Sequence, residues 1–421
     1  MNPILPKKYY VPDVEARQCK DGRIYLYGSY DISGNTNYCS HEDHVFSSNN
    51  LIEWIDHGVS FTSEDTFSPY TPLYAPDCTY KDGLYYLYFC MADNSEGVAV
   101  SKSPYGPFKN AQPIKIANKD AIDPAIFVDD DGEVYYYWGQ FKARGSKLKN
   151  MFEIDESTLN SKILSEEEHG FHEGFSIRKR NDIYYAIYTD ISRGKASCLS
   201  YATSKSPLGP FKKGGVIIDN TGCDPQTWNN HGSIAEFNGN WYIFYHRSSQ
   251  GSKFNRRVCI EPLKFNQDGS INEVEMTTQG ISDSPKATLR MEAYRACLMN
   301  GKVHTEVAPT NDDYTEYLSF IEDNDWVSYK YINFENGVSG FEVRASTPTR
   351  GGIIEIRIDS IDDPLIGKCY IFNTGGWNKW KNFSCKIDKN FEGIHALYLK
   401  FKNSKSSWGR LFNIESFLFY K

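Results

Sequence analysis

The chain has 421 residues, 40% of them apolar and 24% charged, a balance that excludes a disordered polypeptide. A net charge of −8 with no basic stripe argues against nucleic acid or an anionic membrane as partner. No apolar run reaches the length of a membrane span, and the opening "MNPILPKKYYVPD" has prolines and charges where a signal peptide has its apolar core. The ten cysteines are scattered with no C-x-x-C pair, so the expectation is a reduced, cytoplasmic protein, or a secreted one whose leader has been trimmed.

Taken in chain order, one phrase recurs: a turn with Asp, Asn or Gly, then a burst of aromatics. It reads "KDGRIYLYGS" from Lys20, "KDGLYYLYFC" from Lys81, "DDGEVYYYWG" from Asp130, "RNDIYYAIYT" from Arg180 and "FNGNWYIFYH" from Phe237. The turn residues Gly22, Gly83, Gly132, Asp182 and Gly239 are spaced by 61, 49, 50 and 57 residues. Each phrase is a β-hairpin, and five at such a period predict a propeller of five four-stranded blades. The echoes "SKSPYGPF" from Ser101 and "SKSPLGPF" from Ser204 each follow a hairpin. From Ile281 to Arg290 the composition shifts, and beyond it "GGIIEIRIDS", "HALYLKFKN" and "RLFNIESFLFY" alternate as sandwich strands do. The fold class is therefore all-β: a five-bladed propeller over residues 1–285, then a β-sandwich over 286–421.

Asp13, Asp123 and Glu173 each lie nine residues before their turn, His231 eight and Asp77 six. Equivalent positions on innermost strands surround a propeller's axis, so this offset gathers Asp13, Asp123 and Glu173 into one funnel. Asp77, at a different offset, reads as a structural turn residue. Converging acids raise one another's pKa, which a fold needing only stability avoids. Two carboxyls facing a sugar suit glycoside hydrolysis, one protonating the leaving oxygen and one activating water, with a third tuning the acid. Tyr74, Trp138, Gln140, His231 and Arg257 are candidates for the sugar-contacting wall. A sugar-binding propeller without catalysis and a WD-type scaffold are the other readings; neither needs the acids, and the Trp-Asp signature of the latter is absent.

These segments resemble glycoside hydrolase family 43. "NPILPKKYYVPDVEARQCKDGRIYLYGSYD" is similar to its opening blade, which implies Asp13 as general base. "AIDPAIFVDDDGEVYYYWG" implies Asp123 as pKa modulator, and "HEGFSIRKRNDIYYAIYT" implies Glu173 as general acid. "NHGSIAEFNGNWYIFYHR" resembles the segment whose histidine sits in the central cavity, often beside calcium, which implies His231 as a metal-adjacent residue. The resemblance implies an inverting, exo-acting enzyme that releases α-L-arabinofuranosyl or β-D-xylosyl units from plant cell-wall glycans, with galactan or galactofuranose as the alternative. An oligosaccharide or polysaccharide is the implied partner, calcium the implied ion, and no organic cofactor is implied. The last region, with "NTGGWNKWKNFSCKI", resembles a family 6 carbohydrate-binding module, which implies Trp377, Trp380 and Asn413 as sugar-binding positions. Its opening "MEAYRA" has Tyr294 where such modules carry a second acidic residue.

Overall fold

The computed structural model describes all residues except 117–120, 310–313, 363, 389–390 and 404–408. Five antiparallel sheets follow one another along the first two thirds of the chain. Their innermost strands are Glu15–Gln18, Leu73–Lys81, Ala125–Val128, Phe171–Arg180 and Ser233–Phe237. Each innermost strand touches the next and the fifth touches the first, so the sheets form a closed ring of blades.

Each hairpin phrase supplies side chains to two blade interfaces at once, because successive residues of a strand point to opposite faces. In Val134–Trp138, Tyr135 and Tyr137 pack toward the fourth blade, whereas Tyr136 and Trp138 pack toward the second. Both faces are buried, which is why these strands read as unbroken aromatic runs rather than alternating ones. Five such apolar clusters, one between each pair of neighbouring blades, hold the ring together.

The blades are not all four-stranded. The third carries both Glu153–Ile154 and Asn160–Ser165 on its Lys142–Asn150 strand. The fifth has only Ser233–Phe237, Asn240–Ser249 and Ser252–Leu263. An open edge at this point would leave unpaired backbone groups. The N-terminal segment covers it: Ile4 N donates to Val258 O at 3.1 Å, Asn2 N donates to Thr278 O at 2.8 Å, and Ile260 N donates to Asn2 Oδ1 at 2.9 Å.

Below the funnel the axis is filled by charge. Arg17 grips Asp77 through Nε (3.0 Å) and Nη2 (2.6 Å), and Asp77 accepts Ile126 N at 2.8 Å. Arg178 Nη2 donates to Glu15 at 2.7 Å and to Ala16 O at 2.9 Å. This network ties four innermost strands together, and Asp77 belongs to it.

Residues from Met291 onward form two sheets. One holds His304–Pro309, Tyr314–Ser319, Asn413–Tyr420, Gly340–Thr347 and Gly376–Lys386. The other holds Leu298–Asn300, Trp326–Asn333, Ile394–Lys402, Gly352–Ile358 and Leu365–Ile371. Between them lies a core of Val, Ile, Leu and Phe, including Val343, Ile356, Leu399 and Phe417.

A buried ion pair joins sandwich to propeller. Arg257 Nη2 lies 2.7 Å from Glu316 Oε2, and both side chains are almost wholly buried. The Arg257 guanidinium packs on the rings of Tyr10 (4.3 Å) and Tyr294 (5.3 Å) and donates to Tyr10 Oη at 2.6 Å. Tyr294, at the place usually acidic, thus supplies a ring to this joint. Arg257 is accordingly not a wall of the sugar pocket; it faces the second domain. Removing one partner of such a pair strands a buried charge, at a cost of about 3–5 kcal/mol. Arg257→Leu is expected to lower the thermal midpoint of the whole chain, and deletion of residues 291–421 to lower the propeller's midpoint further. An unchanged propeller transition in calorimetry would show that the joint is not stabilising.

Candidate functional site

At the mouth of the ring the backbone repeats an unusual step. Asp13 and Asp123 both take a left-handed conformation (φ 57° and 55°) just before their innermost strands. Short polar side chains tolerate this region better than most. The fourth blade makes the equivalent step with Gly174 (φ 69°), inside a bulge where the register slips between Glu173 and Ser176. A Cβ at Gly174 would meet Thr189 Oγ1 at 2.9 Å and the His231 ring at 3.0 Å, so only glycine fits. The bulge aims the Gly174 N–H at Asp123 Oδ2 (3.0 Å) and leaves the Glu173 side chain at the pocket wall.

The three acids line one cavity of about 230 Å3 together with Tyr74, Gln140 and His231. That volume is below the roughly 300–1,000 Å3 of clefts that take drug-sized ligands, and suits a single sugar ring. Each acid has a different environment. Asp13 accepts from Arg256 Nη1 at 2.9 and 3.2 Å and from Ser29 Oγ at 2.8 Å, and His246 Nδ1 lies 3.4 Å away. Burial alone would raise its pKa, but the Arg256 charge and the two nearby histidines, His246 and His231, outweigh it. The carboxyl is held well below the usual carboxylate range. Asp13 is therefore ionised at any working pH.

Burial pushes the Asp123 carboxyl up to about 7; His231 opposes that rise, while the charges of Glu173 and Asp13 add to it. Glu173 is held by amides, accepting from Gln140 Nε2 at 2.9 Å and from Asn229 Nδ2 at 3.5 Å. The site thus pairs a locked carboxylate with an oriented carboxyl, and a third acid that titrates near neutrality lies close to both.

The Asp123 shift has a stability consequence. Its folded pKa lies above the unfolded value, so the folded chain keeps a proton that the unfolded chain releases. The associated stability is present below about pH 4 and is lost as pH rises toward 7. Asp123→Asn keeps an acceptor for Gly174 N but cannot ionise. It is expected to lower turnover while raising the melting temperature relative to the parent at pH 8, with a smaller gain at pH 5. A gain independent of pH would contradict the assignment.

The structure places Tyr74, Gln140 and His231 at the pocket and Trp138 elsewhere. Trp138 is fully buried against Tyr136, ring centroids 5.6 Å apart, in the core between the second and third blades, so it is not a sugar-stacking residue. Arg256, Tyr38, Trp228 and Asn229 line the pocket and His246 packs beneath Asp13, none of them singled out in the sequence. Trp228, 49% exposed, lines the pocket, with Lys253 Nζ 5.8 Å from its ring centroid. In the sandwich, Trp377 and Asn413 meet around Arg410, whereas Trp380 packs edge-on against Tyr317 at 5.3 Å.

Known proteins share this architecture. A xylosidase/arabinosidase of Thermoclostridium stercorarium is 32% identical over 96% of this chain and 97% of its own. An arabinoxylan arabinofuranohydrolase of Bacillus subtilis is 26% identical over 95% of this chain and 88% of its own. Among solved structures, a family 43 β-xylosidase/α-arabinofuranosidase from a compost microbial metagenome, in complex with xylotriose and in calcium-free form, superposes with a TM-score of 0.57. It is 33% identical, covering 65% of this chain and 97% of its own. Residues 292–421 match the carbohydrate binding module of family 6. Residues 1–271 match glycosyl hydrolases family 43, and with the three carboxyls gathered at the propeller axis the chain belongs to that family of glycoside hydrolases.

Proposed function

We propose that the chain removes single pentose units, α-L-arabinofuranosyl or β-D-xylosyl, from arabinoxylan, arabinan or xylo-oligosaccharides, with inversion at the anomeric carbon. The observation that carries this reading is the division of labour among the acids in a pocket sized for one sugar. Asp13, kept ionised by Arg256, takes a proton from a water placed beneath the anomeric carbon. The water oxygen forms the new bond to that carbon as the glycosidic bond breaks, and Glu173 delivers its proton to the departing oxygen. Asp123, bound to the Gly174 N–H beside Glu173, positions that acid and modulates its charge. A single displacement by water leaves the product with inverted configuration. Relatives named xylosidase/arabinosidase and arabinoxylan arabinofuranohydrolase support the pentose assignment. Nitrophenyl arabinofuranoside, xyloside and galactofuranoside, followed by arabinoxylan with NMR of the first anomer released, test it. Retention, or hydrolysis confined to the galactofuranoside, would overturn it.

Calcium on the axis belongs to the same proposal. Among the described residues no three His, Cys, Asp or Glu side chains are placed to hold a metal. His231 would then be the single side-chain contact, and waters would complete the oxygen shell that calcium prefers. Chelation is expected to lower the melting temperature and activity, and added calcium to restore both. No change in either would remove the ion from the reading.

A further inference from the structure

Two cysteines of the sandwich face each other across its open side. Leu365–Ile371 is the edge strand of one sheet, and Gly376–Lys386 is the edge strand of the other. The chain turns sharply between them, so the two edges run antiparallel. They share no ladder, but Asp388 N donates to Ile366 O at 2.8 Å across the gap. From that bond, each step forward along one strand is matched by a step back along the other. Gly367 lies against Ile387, whose Cδ1 would meet an added Cβ at 3.1 Å. Two steps further, Cys369 stands opposite Cys385. The approach continues past them, with the ring centroids of Phe372 and Phe383 6.4 Å apart.

Both thiols point into the sandwich, because successive side chains of a strand alternate in direction. Cys369 and Ile371 belong to the buried core, while Tyr370 between them is 50% exposed. On the facing strand Phe383, Cys385 and Ile387 pack against the same core. The two thiols hydrogen-bond one another. That bond raises the pKa of Cys369, the donor, and burial adds to the rise. The same bond lowers the pKa of Cys385, against burial and the nearby Asp388 charge. Cys369 is fully buried and Cys385 is partly exposed. An approachable thiol that ionises more easily than usual thus sits beside a buried one that does not, the arrangement that thiol–disulfide exchange needs. Thiols elsewhere bond to carbonyls instead: Cys90 to Tyr74 O, Cys259 to Arg257 O and Cys297 to Ser328 O.

We propose that Cys369 and Cys385 form a redox modification site, which a small-molecule disulfide such as oxidised glutathione converts into a bridge between the two sheet edges. Cys385 loses its proton, and its sulfur attacks one sulfur of the glutathione disulfide. That S–S bond breaks, a Cys385–glutathione bond forms, and one glutathione leaves as a thiolate that takes up a proton. Cys369 then gives up its proton and attacks Cys385 Sγ. The Cys369–Cys385 bond forms, and the second glutathione leaves as a thiol. Two cysteine thiols are oxidised, and one glutathione disulfide is reduced to two thiols. The bridge ties together edges that no ladder joins, so it restricts the unfolded chain while the folded chain already holds the two sulfurs together. The site stands independently of the pentose reading.

The test incubates the full chain with oxidised glutathione, removes the reagent and counts thiols in guanidinium chloride. The parent is expected to lose two of its ten thiols. A digest made without reduction should link the peptide of Cys369 to that of Cys385. The melting temperature should rise by at least about 4 °C and fall back with dithiothreitol. Cys369→Ser should stop at the mixed disulfide, with glutathione on Cys385, and Cys385→Ser should gain neither adduct nor bridge. All ten thiols retained in the parent, or a bridge that maps to other cysteines, overturns the proposal. A glutathione adduct on Cys369 in Cys385→Ser overturns the order of attack. A bridge that leaves the melting temperature unchanged or lower overturns the claim that the folded geometry accepts it.

Discussion

Glu173→Ala is expected to lose about 10²–10⁴-fold in kcat/KM on xylo-oligosaccharides and to keep far more of its rate on dinitrophenyl glycosides. The reason lies in the leaving group. A sugar alkoxide leaves badly without a proton, whereas a dinitrophenolate leaves almost unaided. Gln140 and Asn229 hold both Glu173 oxygens from the amide side, so the carboxyl is oriented before substrate arrives. Asp13→Ala should fail equally on both substrates, because water must be activated whatever leaves. An equal loss for Glu173→Ala across leaving groups would show that Glu173 is not the acid.

The second large effect is expected at Arg256. Its guanidinium serves two buried carboxylates at once, Asp13 through Nη1 and Asp31 through Nε (3.0 Å) and Nη2 (2.9 Å). Arg256→Leu leaves both without their cation, and the cost is about 3–5 kcal/mol of stability. The pH signature is specific. The depressed pKa of Asp13 gives stability that is present above the unfolded value and lost only as pH falls through the folded one. With Arg256 gone, burial is no longer opposed by its charge and the Asp13 carboxyl takes up a proton at higher pH. The acidic limb of kcat/KM then moves to higher pH, and the stability deficit of the variant is already present at pH 7. Urea titration at pH 7 and pH–rate profiles check both. A variant with an unmoved acidic limb would show that Arg256 does not govern the base.

The propeller and its acids were legible because they repeat. A hairpin turn sets the register of the strand before it, so similar offsets from the turn lie close together at the axis: Asp13 and Asp123 take the same left-handed step, and Glu173 comes just ahead of the Gly174 that makes it in the fourth blade. What does not repeat was not legible. Trp228 and Asn229 sit in an irregular stretch, "CDPQTWNNHG", whose only signal was an aromatic next to amides just ahead of His231. Arg256 and Arg257 are neighbours on one strand, and a strand sends neighbours to opposite faces. Choosing Arg257 put the pocket cation on the face that meets the second domain. Trp138 failed for a related reason: a strand buried on both sides offers no pattern to separate rings that face a cavity from rings that face a core. The three-stranded last blade was hidden because the segment that completes it lies at the other end of the chain.

That segment bears on how the protein is made. Asn2 is synthesised well ahead of its hydrogen-bond partners Ile260 and Thr277, which follow 258 and 275 residues later. At about 5–20 residues per second, the ring stays open for roughly 13–50 s of synthesis. During that interval Leu5, Val11 and Val14 have no fifth blade to cover them. The nascent chain carries a sticky, unpaired margin until the fifth blade has been made. Yield in a heterologous host should then depend on chaperone supply and on elongation rate more than on the stability of the finished fold.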